Sequence, residues 1–149
     1  MTATPKEYST LSPVIISKNA EATIEAYKNI LGAEENCGIM MCPKTGKVGH
    51  AGLKIGGSTI FVSDEFPEEG KSATGRQEFY LYVENSDNAF NKAKSANWEV
   101  VSDPEDMFWG DRVGAVKDAD GNTWTLAQKV RDVSPEEMDE AMKKMGEAA

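Results

Sequence analysis

The chain is poor in the residue types that most often bind metals or form disulfides. Its 149 residues include two cysteines, Cys37 and Cys42, and one histidine, His50. A single C-x4-C pair and one histidine cannot complete a structural zinc site. A disulfide would be unusual in the cytosol. We therefore expect two free thiols and no structural zinc.

Long apolar runs and an excess of positive charge are also missing. No run approaches the roughly 20 apolar residues that span a bilayer, and the amino-terminal MTATPKEYST has no apolar segment typical of a signal peptide. Lys and Arg number 16 against 25 Asp and Glu, a formal net charge of −9, which disfavours contact with phosphate backbones. We predict a cytoplasmic protein with no nucleic-acid or membrane partner. The excess of acidic residues either forms a solvated surface or attracts a cationic ligand.

One pattern occurs twice, at residues 17–33 and 83–99. In each copy a strand leads to an asparagine, Asn19 or Asn85, at the N-cap of a helix with an apolar stripe. Three strand-like segments follow each helix. They are 35–42, 48–56 and 58–64 in the first half, and 98–102, 111–118 and 122–129 in the second. Each half therefore reads as β-α-β-β-β.

These units predict an α+β fold in which two tandem β-α-β-β-β modules form a curled mixed sheet around a cavity, followed by a C-terminal helix. We expect a single domain over residues 1–149. Its parts are module 1 at about 10–65, module 2 at about 77–130 and the helix at about 134–147. The helix should begin at Ser134 with a capping box, and its methionine stripe should dock on the domain or on a second subunit.

Strand alternation predicts which side chains line the cavity. In EFYLYVEN, Phe79 and Leu81 point to one face, whereas Glu78, Tyr80 and Tyr82 point to the other. We expect the apolar set to lie beneath the helix and the mixed set to face the cavity.

Several of these segments resemble a known superfamily. The repeated unit, AEATIEAYKNILGAE and above all FWGDRVGAVKDADGNTWTLAQKVRDVSPEEM resemble the vicinal-oxygen-chelate superfamily, and within it the PhnB-like branch. That superfamily holds glyoxalase I, bleomycin-resistance proteins and extradiol dioxygenases. The resemblance covers about residues 10–140. It implies the fold more strongly than the reaction, because one fold here hosts many chemistries.

The resemblance also implies where a metal would bind. Metal-dependent members carry His, Glu or Gln ligands on the first and last strands of each module. The corresponding positions here are Ser12, Phe61, Glu78 and Thr125, of which only Glu78 is a competent ligand. We therefore predict no metal and no cofactor. The branch often has histidine at the position of Tyr80, and a phenol there removes the obvious acid/base at neutral pH.

The predicted ligand-binding residues share the cavity face or its mouth. They are Ser12, Phe61, Glu78, Tyr80, Tyr82, Trp109, Arg112 and Thr125. The two tyrosines would form an aromatic wall or serve as packing. Trp109 would act as a lid. Arg112 would bind an anion or form a structural ion pair with Asp111. Glu78 would be a base or cation anchor, or an exposed residue paired with a nearby arginine.

These observations favour a protein that binds or sequesters a small molecule without a metal, as a homodimer. The alternative is a metal-dependent glyoxalase-like lyase/isomerase or dioxygenase, in which His50 and Glu78 are the candidate catalytic residues. A regulatory or scaffold dimer with a closed cavity is a third reading.

Overall fold

A computed structural model describes residues 4–148, except the side chains of Cys37 and Ala148. Of the two cysteines predicted to be free thiols, Cys37 lies outside the described side chains, and Cys42 is free. The chain divides into two compact units. The first contains the residues up to Gln77 together with Ala119–Gly121. The second contains Glu78–Asp118 and the residues from Asn122 onward.

The first unit is a helix on a four-stranded sheet. Its elements are β1 (Val14–Ser17), α1 (Ala20–Leu31), β2 (Glu34–Met41), β3 (Val48–Ile55) and β4 (Ser58–Asp64), followed by a short 3₁₀ helix at Pro67–Glu69. The sheet order is β1-β4-β3-β2, in which β1 runs parallel to β4 and the other pairs are antiparallel. Helix α1 packs on this sheet over a core of Ile15, Ile24, Tyr27, Leu53 and Val62.

The second unit repeats this arrangement. Its elements are β5 (Glu78–Tyr82), α2 (Ser86–Ser95), β6 (Glu99–Asp106), β7 (Asp111–Lys117) and β8 (Thr123–Lys129), followed by α3 (Pro135–Ala148). The sheet order is β5-β8-β7-β6, again with one parallel pair, β5 with β8. The predicted α+β class, the two β-α-β-β-β modules and the C-terminal helix are confirmed. The strands form two open four-stranded sheets rather than one.

The helices begin where the sequence places their caps. Asn19 accepts a hydrogen bond from the backbone N–H of Ala22 at 3.2 Å, and Asn85 accepts one from Asn88 at 2.9 Å. These bonds satisfy first-turn donors that have no partner within the helix. Helix α1 ends at Gly32 with φ of 71°, a conformation that glycine adopts without strain.

Strand β6 is longer than the sequence predicts. It runs to Asp106 and includes Pro104, whereas the pattern indicates an end at residue 102. Proline is tolerated because β6 is an edge strand, and its pairing with β7 is interrupted by register shifts on either side of Ser102. Among the described residues, no helix has the length and apolar character needed to cross a membrane.

Candidate ligand-binding site

Strand β5 exposes two tyrosines on one face of the second sheet. Tyr80 is 49% exposed and Tyr82 is 63% exposed, while the alternate residues Phe79 and Leu81 are half-buried. Phe79 stacks on Trp124, with the ring centroids 4.4 Å apart. The alternation predicted from EFYLY is therefore confirmed, and it leaves both phenol rings accessible to a ligand.

Both phenols converge on one buried carboxylate. The Tyr80 hydroxyl donates to Asp111 Oδ2 at 2.6 Å, and the Tyr82 hydroxyl donates to the same oxygen at 2.9 Å. The Trp109 indole N–H is shared between Asp111 Oδ2, at 3.1 Å, and the Tyr80 hydroxyl, at 3.0 Å. Asp111 is only 4% exposed. We refer to Tyr80, Tyr82, Trp109 and Asp111 as the Asp111 site.

Small residues on β8 make this convergence possible. Strand β8 lies between β5, which carries the tyrosines, and β7, which carries Asp111. Thr125 pairs with Tyr80 and Ala127 pairs with Tyr82, so the two small side chains share the tyrosine face. Because neither side chain projects far from the sheet, the long phenols can lie across β8 and reach β7. Thr125 thus lies at the floor of the site.

A tight turn positions the side chains of Trp109 and Asp111 next to the two tyrosines. Met107 N–H donates to the Asp111 carbonyl at 2.7 Å, and Gly110 N–H donates to the Met107 carbonyl at 3.1 Å. Gly110 has φ of 97°, a conformation that other L-residues rarely adopt. A Cβ at this position would clash with the Arg131 carbonyl oxygen. The backbone conformation and the close approach of Arg131 therefore require glycine at this position of FWGD.

Both phenols have raised pKa values. Desolvation of the hydroxyl and its hydrogen bond to Asp111 raise the pKa of Tyr80 to about 12. The hydrogen bond to Asp111 also raises the pKa of Tyr82. Both hydroxyls therefore act as donors at neutral pH.

We expect Tyr80 to make stability depend on pH in the alkaline range. Because its folded-state pKa lies above the usual value of 10, the unfolded state loses the proton first, and this contribution is complete below pH 10 and lost as pH rises through about 12. The free energy of unfolding should fall more steeply between these values in the wild type than in Tyr80→Phe. Urea titrations across the range measure both slopes, and equal slopes would contradict the assignment.

The cation paired with Asp111 in the sheet, Lys129, forms no ion pair with it. Lys129 pairs with Asp111 across β7 and β8, but its ammonium forms an ion pair with Asp132 at 2.6 Å. The Asp132 carboxylate is the main reason that the pKa of Lys129 is raised. Among the described residues, the direct partners recorded for the Asp111 carboxylate are the neutral donors of the site.

Arg112 belongs to a separate structural cluster. Its Nε and Nη2 donate to the two carboxylate oxygens of Asp87 at 2.8 and 3.1 Å, and Nη1 donates to Asp106 at 3.1 Å. This contact lowers the pKa of Asp87. The prediction of an Asp111–Arg112 ion pair is wrong, because these two side chains project from opposite faces of β7. Arg112 instead ties the start of α2 to β6 and β7.

Glu78 shares the tyrosine face at the start of β5. Its side chain is exposed, and no hydrogen bond or ion pair to it is found among the described residues, Arg76 and Arg112 included. It therefore adds a solvated negative charge to the face that carries Tyr80 and Tyr82.

The remaining candidates lie in the first unit. The Phe61 ring on β4 contacts two other rings, with its centroid 5.2 Å from that of Tyr8 and 4.7 Å from that of the exposed His50. The Ser12 hydroxyl is hydrogen-bonded to the buried Thr59 hydroxyl. Thr4, Pro5 and residues 8–12 line an open depression of about 550 Å³ together with Phe61. Ser12 and Phe61 are therefore neighbours, as the sequence places them.

The four positions at which the resemblance implies metal ligands carry side chains that do not fit a divalent ion. They present two hydroxyls, a phenyl ring and one carboxylate, and the Ser12 hydroxyl is engaged by Thr59. Divalent ions need several convergent N, O or S donors, which this combination does not supply. Among the described side chains, which exclude that of Cys37, no three His, Cys, Asp or Glu are grouped so that they could hold a metal ion.

Sequence reasoning missed the central role of Asp111. It treated this residue as an ion-pair partner, although the FWGD run carried a usable signal. A tight turn at glycine places Trp109 and Asp111 on either side of one residue, at the entrance to a strand. Asp87 and Asp106 were also missed, because their contacts with Arg112 are tertiary.

Comparison with known proteins agrees with this fold. Residues 10–126 match the Glyoxalase/Bleomycin resistance protein/Dioxygenase superfamily. An uncharacterized protein of Mycobacterium bovis is 36% identical over 145 residues, which cover 92% of this chain and 94% of that protein.

Two solved structures share the fold at low sequence identity. TioX from Micromonospora sp. ML1 has a TM-score of 0.63 at 18% identity, covering 82% of this chain and 100% of its own. FosX, a genomically encoded fosfomycin resistance protein from Listeria monocytogenes, has a TM-score of 0.64 at 16% identity, covering 87% of this chain and 96% of its own. The chain belongs to the glyoxalase/bleomycin resistance protein/dioxygenase superfamily.

Proposed function

We propose that this protein binds and sequesters a cationic aromatic small molecule at the Asp111 site. One observation carries the proposal: the buried Asp111 carboxylate is held by three neutral donors beneath two exposed phenol rings. None of these three donors carries a positive charge, so no direct partner neutralises the carboxylate. The site therefore combines a fixed negative charge with aromatic surface open to a ligand.

Each part of this arrangement favours a cation. Electron-rich ring faces attract cations by about 0.5–1 kcal/mol at exposed sites. The carboxylate adds longer-range attraction, and Glu78 contributes a second negative charge on the same face. The chain's formal charge of −9 raises the local concentration of cations further. An anionic ligand would meet repulsion from each of these charges.

The superfamily description includes bleomycin resistance proteins, which supports a role in binding a small molecule. We propose that this chain is PhnB-like, cytoplasmic and homodimeric, and that it acts by holding its ligand rather than by transforming it.

Two probes of similar size and opposite charge test the proposal. N-Methylquinolinium, a planar cation, should bind at least about tenfold more tightly than the similarly sized anion 2-naphthoate, a difference of about 1.4 kcal/mol. Isothermal titration calorimetry measures both affinities. Equal affinities, or tighter binding of the anion, would exclude a cation site.

Tryptophan fluorescence tests whether the ligand binds at the Asp111 site. Trp109 is partly exposed, whereas Trp98 and Trp124 are buried, so ligand-dependent quenching should come mainly from Trp109. In Trp109→Phe the emission of the two buried tryptophans remains, and most of the quenching should disappear. Quenching that persists unchanged in this variant would place the ligand elsewhere.

The metal-dependent alternative makes a different prediction. Because the donor set at Ser12, Phe61, Glu78 and Thr125 does not fit a divalent ion, we expect no stoichiometric metal after purification and no rise in melting temperature with Zn²⁺, Ni²⁺, Mn²⁺ or Fe²⁺. Elemental analysis and thermal shift measure both. One metal per chain that resists chelator would favour the lyase/isomerase or dioxygenase function, with His50 and Glu78 as the residues to test.

A further inference from the structure

We propose that the Asp111 site selects quaternary ammonium ligands over primary ammonium ligands, because its carboxylate has no acceptor position to offer a ligand N–H. This inference rests on the proposed function and names the class of cation that the site takes. A quaternary ammonium has no N–H, and its charge lies beneath a rounded apolar surface. A primary ammonium has three N–H donors, each of which needs an acceptor when it leaves water. The acceptors and rings of the site therefore decide between the two classes.

The Asp111 carboxylate is already occupied by donors of the protein. Its Oδ2 accepts from the Tyr80 hydroxyl at 2.6 Å, the Tyr82 hydroxyl at 2.9 Å and the Trp109 indole N–H at 3.1 Å. A carboxylate oxygen has about two lone-pair positions, so these three donors saturate it. The whole residue is only 4% exposed, which restricts access to the second oxygen. A primary ammonium would have to displace one of these donors to form an ion pair.

The other acceptors on the tyrosine face are weaker. The Tyr80 hydroxyl already takes part in two hydrogen bonds, which leaves the Tyr82 and Thr125 hydroxyls as neutral acceptors. Neutral acceptors form weaker hydrogen bonds to a cation than ionised ones do. Glu78 is ionised but exposed at the start of β5, where an ion pair with a ligand contributes little. A primary ammonium would therefore recover only part of the hydrogen bonding that it loses on leaving water.

The aromatic rings of the site suit a rounded cation. The Tyr80 and Tyr82 ring centroids lie 5.5 Å apart and the ring planes are inclined at 67°, so the two rings form a corner and not a flat wall. The partly exposed Trp109 adds its indole beside the Tyr80 hydroxyl. A trimethylammonium group can contact both inclined rings at once, with its positive charge held against them. Its methyl groups also bury apolar surface, which a primary ammonium does not offer.

The hydrogen bonds to Asp111 hold this corner in place before a ligand binds. Each phenol ring is fixed at both ends, by the β5 backbone and by the bond from its hydroxyl to the carboxylate. Rings that are already ordered lose little conformational freedom on binding, so more of their attraction for the ligand is retained as affinity. The same bonds prevent the two tyrosines from turning their oxygens toward a primary ammonium.

Calorimetry with benzyltrimethylammonium and benzylammonium at pH 7 tests the selectivity. The two probes share one ring and one positive charge, and they differ only in the methyl groups on nitrogen. We expect benzyltrimethylammonium to bind at least about tenfold more tightly. Equal affinities, with both cations binding more tightly than 2-naphthoate, would overturn the selectivity and leave the proposed function standing. If neither cation binds more tightly than 2-naphthoate, the proposed function fails and this inference fails with it.

Tyr82→Phe tests whether the occupied carboxylate causes the selectivity. This variant keeps the ring but frees an acceptor position on Asp111 Oδ2. Benzylammonium should therefore gain at least about threefold in affinity, while benzyltrimethylammonium changes by less than about twofold. The matched control is Tyr8→Phe, which removes the hydroxyl of a half-buried tyrosine in the first unit and should leave both affinities unchanged. A folded Tyr82→Phe protein that prefers the quaternary probe as strongly as the wild type would overturn the inference.

Discussion

Replacing Asp111 by asparagine should remove most of the affinity for a planar cation while leaving the protein folded. Asparagine retains an acceptor oxygen for Tyr80, Tyr82 and Trp109, but it has no charge. We expect cation affinity to fall by at least about tenfold, or 1.4 kcal/mol. Stability should fall by about 1–3 kcal/mol, because the buried hydrogen bonds lose their charge-assisted character. Calorimetry with N-methylquinolinium and urea unfolding measure the two effects separately.

Asp103→Asn is the matched control for Asp111→Asn. Asp103 lies exposed on β6, so this change removes the same unit of charge from the chain without touching the site. Its affinity for the cation should stay within about twofold of wild type, which corresponds to less than 0.5 kcal/mol. If both variants lose affinity equally, the chain's overall charge, and not the Asp111 site, attracts the cation.

Replacing Gly110 by alanine should destabilise the protein by about 2–4 kcal/mol. The residue has φ of 97°, and an alanine Cβ would clash with the Arg131 carbonyl oxygen. The backbone cannot move away freely, because the Gly110 carbonyl accepts from the N–H groups of Val130 and Arg131 at 2.9 and 3.2 Å. Trp109 and Asp111 would therefore be displaced, so cation binding should weaken as well.

Gly57→Ala provides the comparison for this variant. Gly57 has no atom near the position of a Cβ, and its φ lies outside the left-handed region. We expect its free energy of unfolding to stay within about 0.5 kcal/mol of wild type. Urea denaturation of both variants gives the difference, and a Gly110→Ala protein as stable as Gly57→Ala would show that the FWGD turn is not required.

Local patterns predicted much of this structure. The exposure of Tyr80 and Tyr82 follows from a two-residue period within one strand, and the helix starts at Asn19 and Asn85 follow from their side-chain chemistry. Each of these features depends on residues close together in the sequence. The same holds for the capping box at Ser134.

Tertiary contacts explain what the sequence did not predict. The tyrosines reach Asp111 across an intervening strand, which is possible only because β8 presents Thr125 and Ala127 there. No pattern of neighbouring residues in the sequence predicts a side-chain contact across an intervening strand. Arg112 likewise finds Asp87 at the start of a helix 25 residues earlier. The extension of β6 past Pro104 depends on its position at the sheet edge, which is a property of the assembled sheet.

A crystal structure with a bromine-labelled quaternary ammonium, 4-bromophenyltrimethylammonium, tests the central claim most directly. Anomalous scattering from bromine locates the ligand independently of its shape. We predict that its ammonium lies within about 6 Å of the centroids of the Tyr80 and Tyr82 rings, on the side of the Asp111 carboxylate. A cation bound elsewhere, with both phenol rings facing only solvent, would contradict the proposed function.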